Sequence, residues 1–151
     1  MLVAASTTKV RESAKKNESA PTKDELEALA NFRRALRRFL AFSEQAAAEL
    51  GLTMQWYQAL LVIRTYHDGA PINVGELAEE LMIRDHSAAE LVSRLVAANL
   101  VRRKTDAEDR RRSLLIITSS GDRCLARLAS VHLARLRENK DAFMNLFDMG
   151  T

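Results

Sequence analysis

The chain of 151 residues holds a single cysteine, five glycines and three histidines, and only 5% of it is aromatic. A lone Cys124 excludes an intrachain disulfide, which fits a reducing compartment, so a cytoplasmic location is expected. Set beside Leu125 and Leu128, it reads as an inert core residue rather than a redox sensor. His67, His86 and His132 are scattered without a partner at ligand spacing, so no metal site and no cofactor is expected. Neither a glycine-rich phosphate loop nor a Ser-His-Asp arrangement occurs, so the sequence lends no support to an enzyme. Long apolar runs are missing too. A run such as Leu114 to Ile117 falls far short of the roughly 20 residues needed to cross a bilayer. Met1 to Ala20 lacks the apolar segment and cleavage pattern of a secretion signal. A soluble protein with no membrane partner is expected.

What is present is a 47% hydrophobic content, enough for one core and one folding unit. The net charge of +3 is modest, but its distribution is uneven. Arg102, Arg103, Lys104, Arg110, Arg111 and Arg112 face only Asp106, Glu108 and Asp109 within eleven residues, an excess equal to that of the whole chain. Such a concentration suits a polyanion, DNA or an acidic membrane surface, although a charge run is also what a solvated face looks like.

Residues 1–22 carry little apolar periodicity and read as a flexible arm ending near Pro21. From Asp24 to about Leu50, apolar residues recur every three or four positions with Arg33, Arg34, Arg37 and Arg38 between them, which predicts a long amphipathic helix. Gly51 stops it, and Thr53 is placed to cap a second helix from Met54 to about Tyr66. Asn73 and Glu76 form a capping-box pair for a short helix over Val74 to Leu81. A break at Met82 to Asp85, with Asp85 expected as cap, precedes another helix that ends near Asn99. Two short helices joined by a tight turn predict a helix-turn-helix. Val101 to Lys104 and Ser113 to Thr118 alternate as strands around a polar tip, and Thr118 or Ser119 caps a last helix running nearly to the end. The fold class expected is mainly α with a small β-hairpin wing. Residues 23–151 form one domain, with end helices over 24–50 and 119–147 around a 53–118 lobe. The end helices carry more apolar surface than a small core can cover, which predicts a homodimer.

In a winged helix-turn-helix, the second helix must enter a major groove about 12 Å wide. Its leading residues here are Arg84, His86, Ser87 and Glu90, followed by Ser93 and Arg94. The hairpin adds Arg103 and, at its tip, Arg110, Arg111 and Arg112, suited to a narrow electronegative minor groove. Asp109 reads as a positioning residue for the tip arginines. Double-stranded DNA is therefore the expected partner. The alternative is a winged-helix module that docks on a protein and leaves DNA alone.

At this point the chain resembles the MarR (multiple antibiotic resistance regulator) family, over about Thr53 to Gly121. The resemblance is carried by Leu52-Thr53, Gly75-Glu76-Leu77-Ala78, the segment His86 to Leu95, Asn99-Leu100-Val101, and Asp106 to Arg112 closing on Ile117-Thr118 and Gly121. The family's wing signature, an Asp, any residue, an Arg, then five residues before Leu-Thr, is met by Asp109, Arg111 and Ile117-Thr118. Ile replaces Leu, and Asn99 stands where Gly is usual. The resemblance implies a dimeric regulator, in the common case a repressor of a pseudo-palindromic operator, released by a small molecule. It also implies Arg111 as the minor-groove arginine with Asp109 as its anchor. An effector pocket in such a protein would be lined by Phe39, Phe42, Trp56, Tyr57 and Tyr66, with Arg38 or His67 receiving a carboxylate or phenolate.

Overall fold

The computed structural model describes residues 19–149, so most of the arm expected over residues 1–22 lies outside the described residues. The element order is α1 (Lys23–Glu49), α2 (Met54–Thr65), a short 3-10 turn (Tyr66–Gly69), β1 (Ile72–Asn73), α3 (Val74–Leu81), α4 (Asp85–Ala97), β2 (Val101–Thr105), β3 (Ser113–Ile117), α5 (Ser119–Glu138) and α6 (Lys140–Asp148). Among the described residues, no helix is long and apolar enough to cross a membrane.

The helix starts follow from local chemistry. Thr22 and Glu25 form a reciprocal capping box at α1, with the Thr22 N–H donating to Glu25 Oε2 at 2.7 Å and the Glu25 N–H to Thr22 Oγ1 at 3.2 Å. Gly51 takes φ of +71°, the left-handed corner that ends α1. Thr53 accepts from the Trp56 N–H at the start of α2. At α3 both halves of the Asn73–Glu76 box are made, at 2.9 Å each. Asp85 does not cap α4. Arg84 occupies the cap position without a side-chain hydrogen bond, and Asp85 lies in the first turn, where its charge complements the exposed N–H groups. The corner between α3 and α4 is Met82 at φ of +53°, and Asn99 closes the end of α4 at φ of +57°.

The hairpin is joined by a third strand, giving the order β1-β3-β2, all antiparallel. Strand β1 pairs Ile72 with Leu115 and Asn73 with Leu114. The core lies where the sheet's inner face meets α2, α3, α4 and α5, with Leu60, Ile72, Leu77, Leu95, Leu115 and Leu128 almost fully buried.

Where the sequence reads as one last helix to 147, the structure has two helices, and the contacts group the described residues into two compact units. One unit is Arg37–Asn139; the other, among the described residues, is 19–36 with 140–149. The last helix breaks at Asn139, whose backbone N–H and side-chain amide both donate to the Arg135 carbonyl, at 3.2 and 2.9 Å. Within the smaller unit, Phe32 meets Phe143 and Phe147 edge-on, with ring centroids 5.9 and 6.4 Å apart.

Candidate nucleic-acid interface

Helix α4 is pinned by one apolar face. Ala88, Leu91, Val92 and Leu95 are buried, which turns His86, Ala89, Glu90, Ser93, Arg94 and Ala97 outward as a single exposed stripe. The candidates read from the sequence thus fall on that stripe, with Arg84 exposed at its head and Ser87 half-buried on its flank. The sequence reading passes over the two alanines. Their small side chains let the helix backbone approach a groove floor closely, and their spacing from His86 and Ser93 is the signal that marks them.

The wing extends directly from the end of α4. Leu100 and Val101 are buried, and Thr118 ties the exit of the hairpin back to its entrance. Its N–H donates to the Leu100 carbonyl at 3.0 Å and its hydroxyl to the Asn99 carbonyl at 2.7 Å, while Oγ1 accepts from the Gly121 N–H at 3.0 Å. Gly121 has to be glycine, because a Cβ there would collide with the Leu100 carbonyl oxygen.

At the tip, Asp106 N–H donates to the Arg112 carbonyl at 3.1 Å and Arg112 N–H to the Asp109 carbonyl at 3.0 Å, closing the loop. The Asp109 carboxylate does not hold a guanidinium, as its place in the sequence suggests. It accepts instead from the Arg111 backbone N–H at 3.0 Å, as Asp106 accepts from the Glu108 N–H at 3.0 Å. A short side chain in a tight turn finds the amide two residues on before it finds the end of a long arginine. Arg110, Arg111 and Arg112 are exposed, and no carboxylate among the described residues pairs with them. Arg103 and Ser93, read separately from the sequence, are brought together: Arg103 Nη2 donates to Ser93 Oγ at 3.2 Å.

Three of the residues expected around an effector pocket, Phe39, Phe42 and Tyr57, gather on one buried histidine. Phe39 and Phe42 meet the buried His132 edge-on, and Tyr57 stacks on its ring with centroids 4.4 Å apart. His132 Nδ1 lies 2.5 Å from the Leu128 carbonyl and Nε2 lies 2.6 Å from Ser43 Oγ. Since a carbonyl only accepts, Nδ1 carries the proton, and in the neutral ring Nε2 accepts from the serine. Burial pushes the Tyr57 phenol above its ordinary value. Tyr66 and His67 line a separate small cavity with Val62, Thr65 and Glu80. Trp56 packs half-buried on the core, and Arg38 is exposed. A larger groove of about 310 Å³ runs between α1 and α5, with Phe42, Leu50, Leu128 and Val131 along it and Arg127 and Arg135 at its edge. The Arg135 guanidinium sits 4.2 Å over the Phe42 ring.

Residues 50–112 match the MarR family model. Among curated proteins, no sequence matches the chain. Among solved structures, AbsC from Streptomyces coelicolor, a MarR family transcriptional regulator, is 26% identical, covering 85% of this chain and 84% of its own with a TM-score of 0.65. A mutant of Staphylococcus aureus MepR bound to an oligodeoxyribonucleotide is 21% identical, covering 86% and 96% with a TM-score of 0.63. Bordetella bronchiseptica BpsR, described with the regulation of its DNA binding by 6-hydroxynicotinic acid, is 21% identical, covering 70% and 74% with a TM-score of 0.59. With the helix-turn-helix, the three-stranded wing and its signature residues in place, the lobe over residues 50–112 is of the MarR kind, and most of the chain is similar in fold to MarR family regulators.

Proposed function

We propose that the chain is a DNA-binding transcription regulator that sets α4 in a major groove and the tip of its wing in the adjoining minor groove. The carrying observation is that the exposed stripe of α4 and the unpaired arginines of the wing tip belong to one rigidly joined lobe, with Thr118 and Gly121 as the joint. His86, Ser87, Glu90 and Arg94 meet base edges or flanking phosphates; Arg111 enters the minor groove. Duplex binding should weaken steeply as salt rises, because each phosphate contact releases counterions. If no duplex from the surrounding promoter binds at low salt, the reading fails.

The active form in this proposal is a homodimer that represses a pseudo-palindromic operator. Exposed apolar side chains favour it, among them Leu133 at 48% and Phe147 at 66% exposure. A monomeric mass at micromolar concentration would contradict it. Release by a small aromatic ligand completes the reading. The α1–α5 groove has room for such a molecule, and the neighbour BpsR is described as regulated by one.

A further inference from the structure

We propose that Ser93 and Arg103 act as one unit, a clamp on the single backbone phosphate that lies between the major-groove and minor-groove contacts. This rests on the DNA-binding reading above. Arg103 sits in the middle of β2 opposite Leu115 of β3, a residue only 2% exposed. Side chains paired across antiparallel strands share a face, so Arg103 leaves the sheet on the core side, toward α4. Its neighbours Arg102 and Lys104 leave on the other face. The arginine therefore spans from wing to recognition helix, and its guanidinium reaches Ser93 on the exposed stripe of α4.

The position matters because two readers, one in each groove, have only a sugar-phosphate strand between them. A group held where helix and wing meet faces that strand. The chemistry fits a phosphate in three respects. A guanidinium carries five N–H donors in a planar fork, and the hydrogen bond to Ser93 occupies one Nη2 hydrogen, which leaves an edge free for two parallel bonds to phosphate oxygens. No carboxylate among the described residues neutralises it. Ser93 Oγ, while accepting from Arg103, keeps its own O–H to donate to the same phosphate. The two side chains thus converge on one anion, and Ser93 fixes an arginine that would otherwise sample many rotamers.

The test is binding of the intact protein to a labelled promoter duplex, followed by anisotropy across a salt series, for wild type, Ser93→Ala, Ser93→Thr, Arg103→Gln and the double variant Ser93→Ala with Arg103→Gln. A clamp predicts that Ser93→Ala weakens binding about fivefold to tenfold and that Ser93→Thr restores it. Arg103→Gln should lower the salt slope by about one unit. In the Arg103→Gln background, Ser93→Ala should then add less than about twofold. The clamp is overturned if wild type binds but Ser93→Ala is silent, costs the same factor in both backgrounds, or if Arg103→Gln leaves the salt slope unchanged. Absence of binding by wild type itself would instead remove the DNA reading on which the clamp rests. Both side chains are exposed, so urea midpoints close to wild type should accompany every variant.

Discussion

His132 and Ser43 lie 89 residues apart and meet through a 2.6 Å contact between Nε2 and Oγ, joining α5 to α1 inside a ring of three aromatic side chains. Both residues are 3% exposed, so water cannot replace a lost partner. Ser43→Ala should therefore cost about 1–3 kcal/mol of stability, the penalty of leaving a buried ring nitrogen unsatisfied. Urea unfolding measures it, and an unchanged midpoint would show that the contact carries no net weight.

The stacked Tyr57 gives a second handle. Burial raises its folded pKa above the value near 10 that it has when unfolded. Above pH 10 the unfolded chain releases the proton first, so stability is fully present below that pH and declines as pH climbs toward the folded pKa. Tyr57→Phe should flatten this alkaline decline. Unfolding midpoints from about pH 9 to about pH 11.5 that fall equally in both proteins would locate the cause elsewhere.

At the wing tip, Arg111→Ala should weaken duplex binding by on the order of 1–3 kcal/mol if its side chain sits in a groove. Asp109→Asn keeps an oxygen for the Arg111 N–H and should bind nearly as wild type, whereas Asp109→Ala loosens the turn and should bind several-fold more weakly. Equal losses for the two Asp109 variants would mean that the carboxylate charge, not the turn, is what matters.

Gly121→Ala drives a methyl group into the Leu100 carbonyl, which is held by the Thr118 N–H, and against the Ile117 side chain. A loss of about 1–3 kcal/mol is expected, typical of forced overpacking. Thermal unfolding at the wild-type midpoint would refute the contact geometry.

Met82 offers the opposite sign. Its side chain is 91% exposed and its backbone is left-handed, so Met82→Gly relieves strain and gives up almost no burial. A gain of about 1 kcal/mol is expected after the entropy cost of a glycine in the unfolded chain. A lower urea midpoint would contradict it.

The parts of this fold that are legible in the sequence are those decided within four residues. Thr53, the Asn73–Glu76 pair, Asn99 and Thr118 announce their helix ends because each satisfies a donor or adopts a turn on its own element. Strand β1 is invisible there because Ile72 and Asn73 become a strand only by meeting Leu115 and Leu114, distant in the chain. The break at Asn139 is hidden because the apolar spacing continues through Leu136 and Phe143 across it. For the candidate interface, order and spacing place each residue on its element, yet not what it touches. That Asp109 finds an amide and Arg103 finds a serine depends on distances that no linear pattern carries.

Thr118 ends a strand, starts a helix and grips the last turn before the wing, all with one side chain and one amide. These three elements therefore have no independent way to come apart. The amides of Thr118 and Gly121 should exchange with solvent in a shared opening event rather than fray in turn, making the joint a single cooperative unit of unfolding.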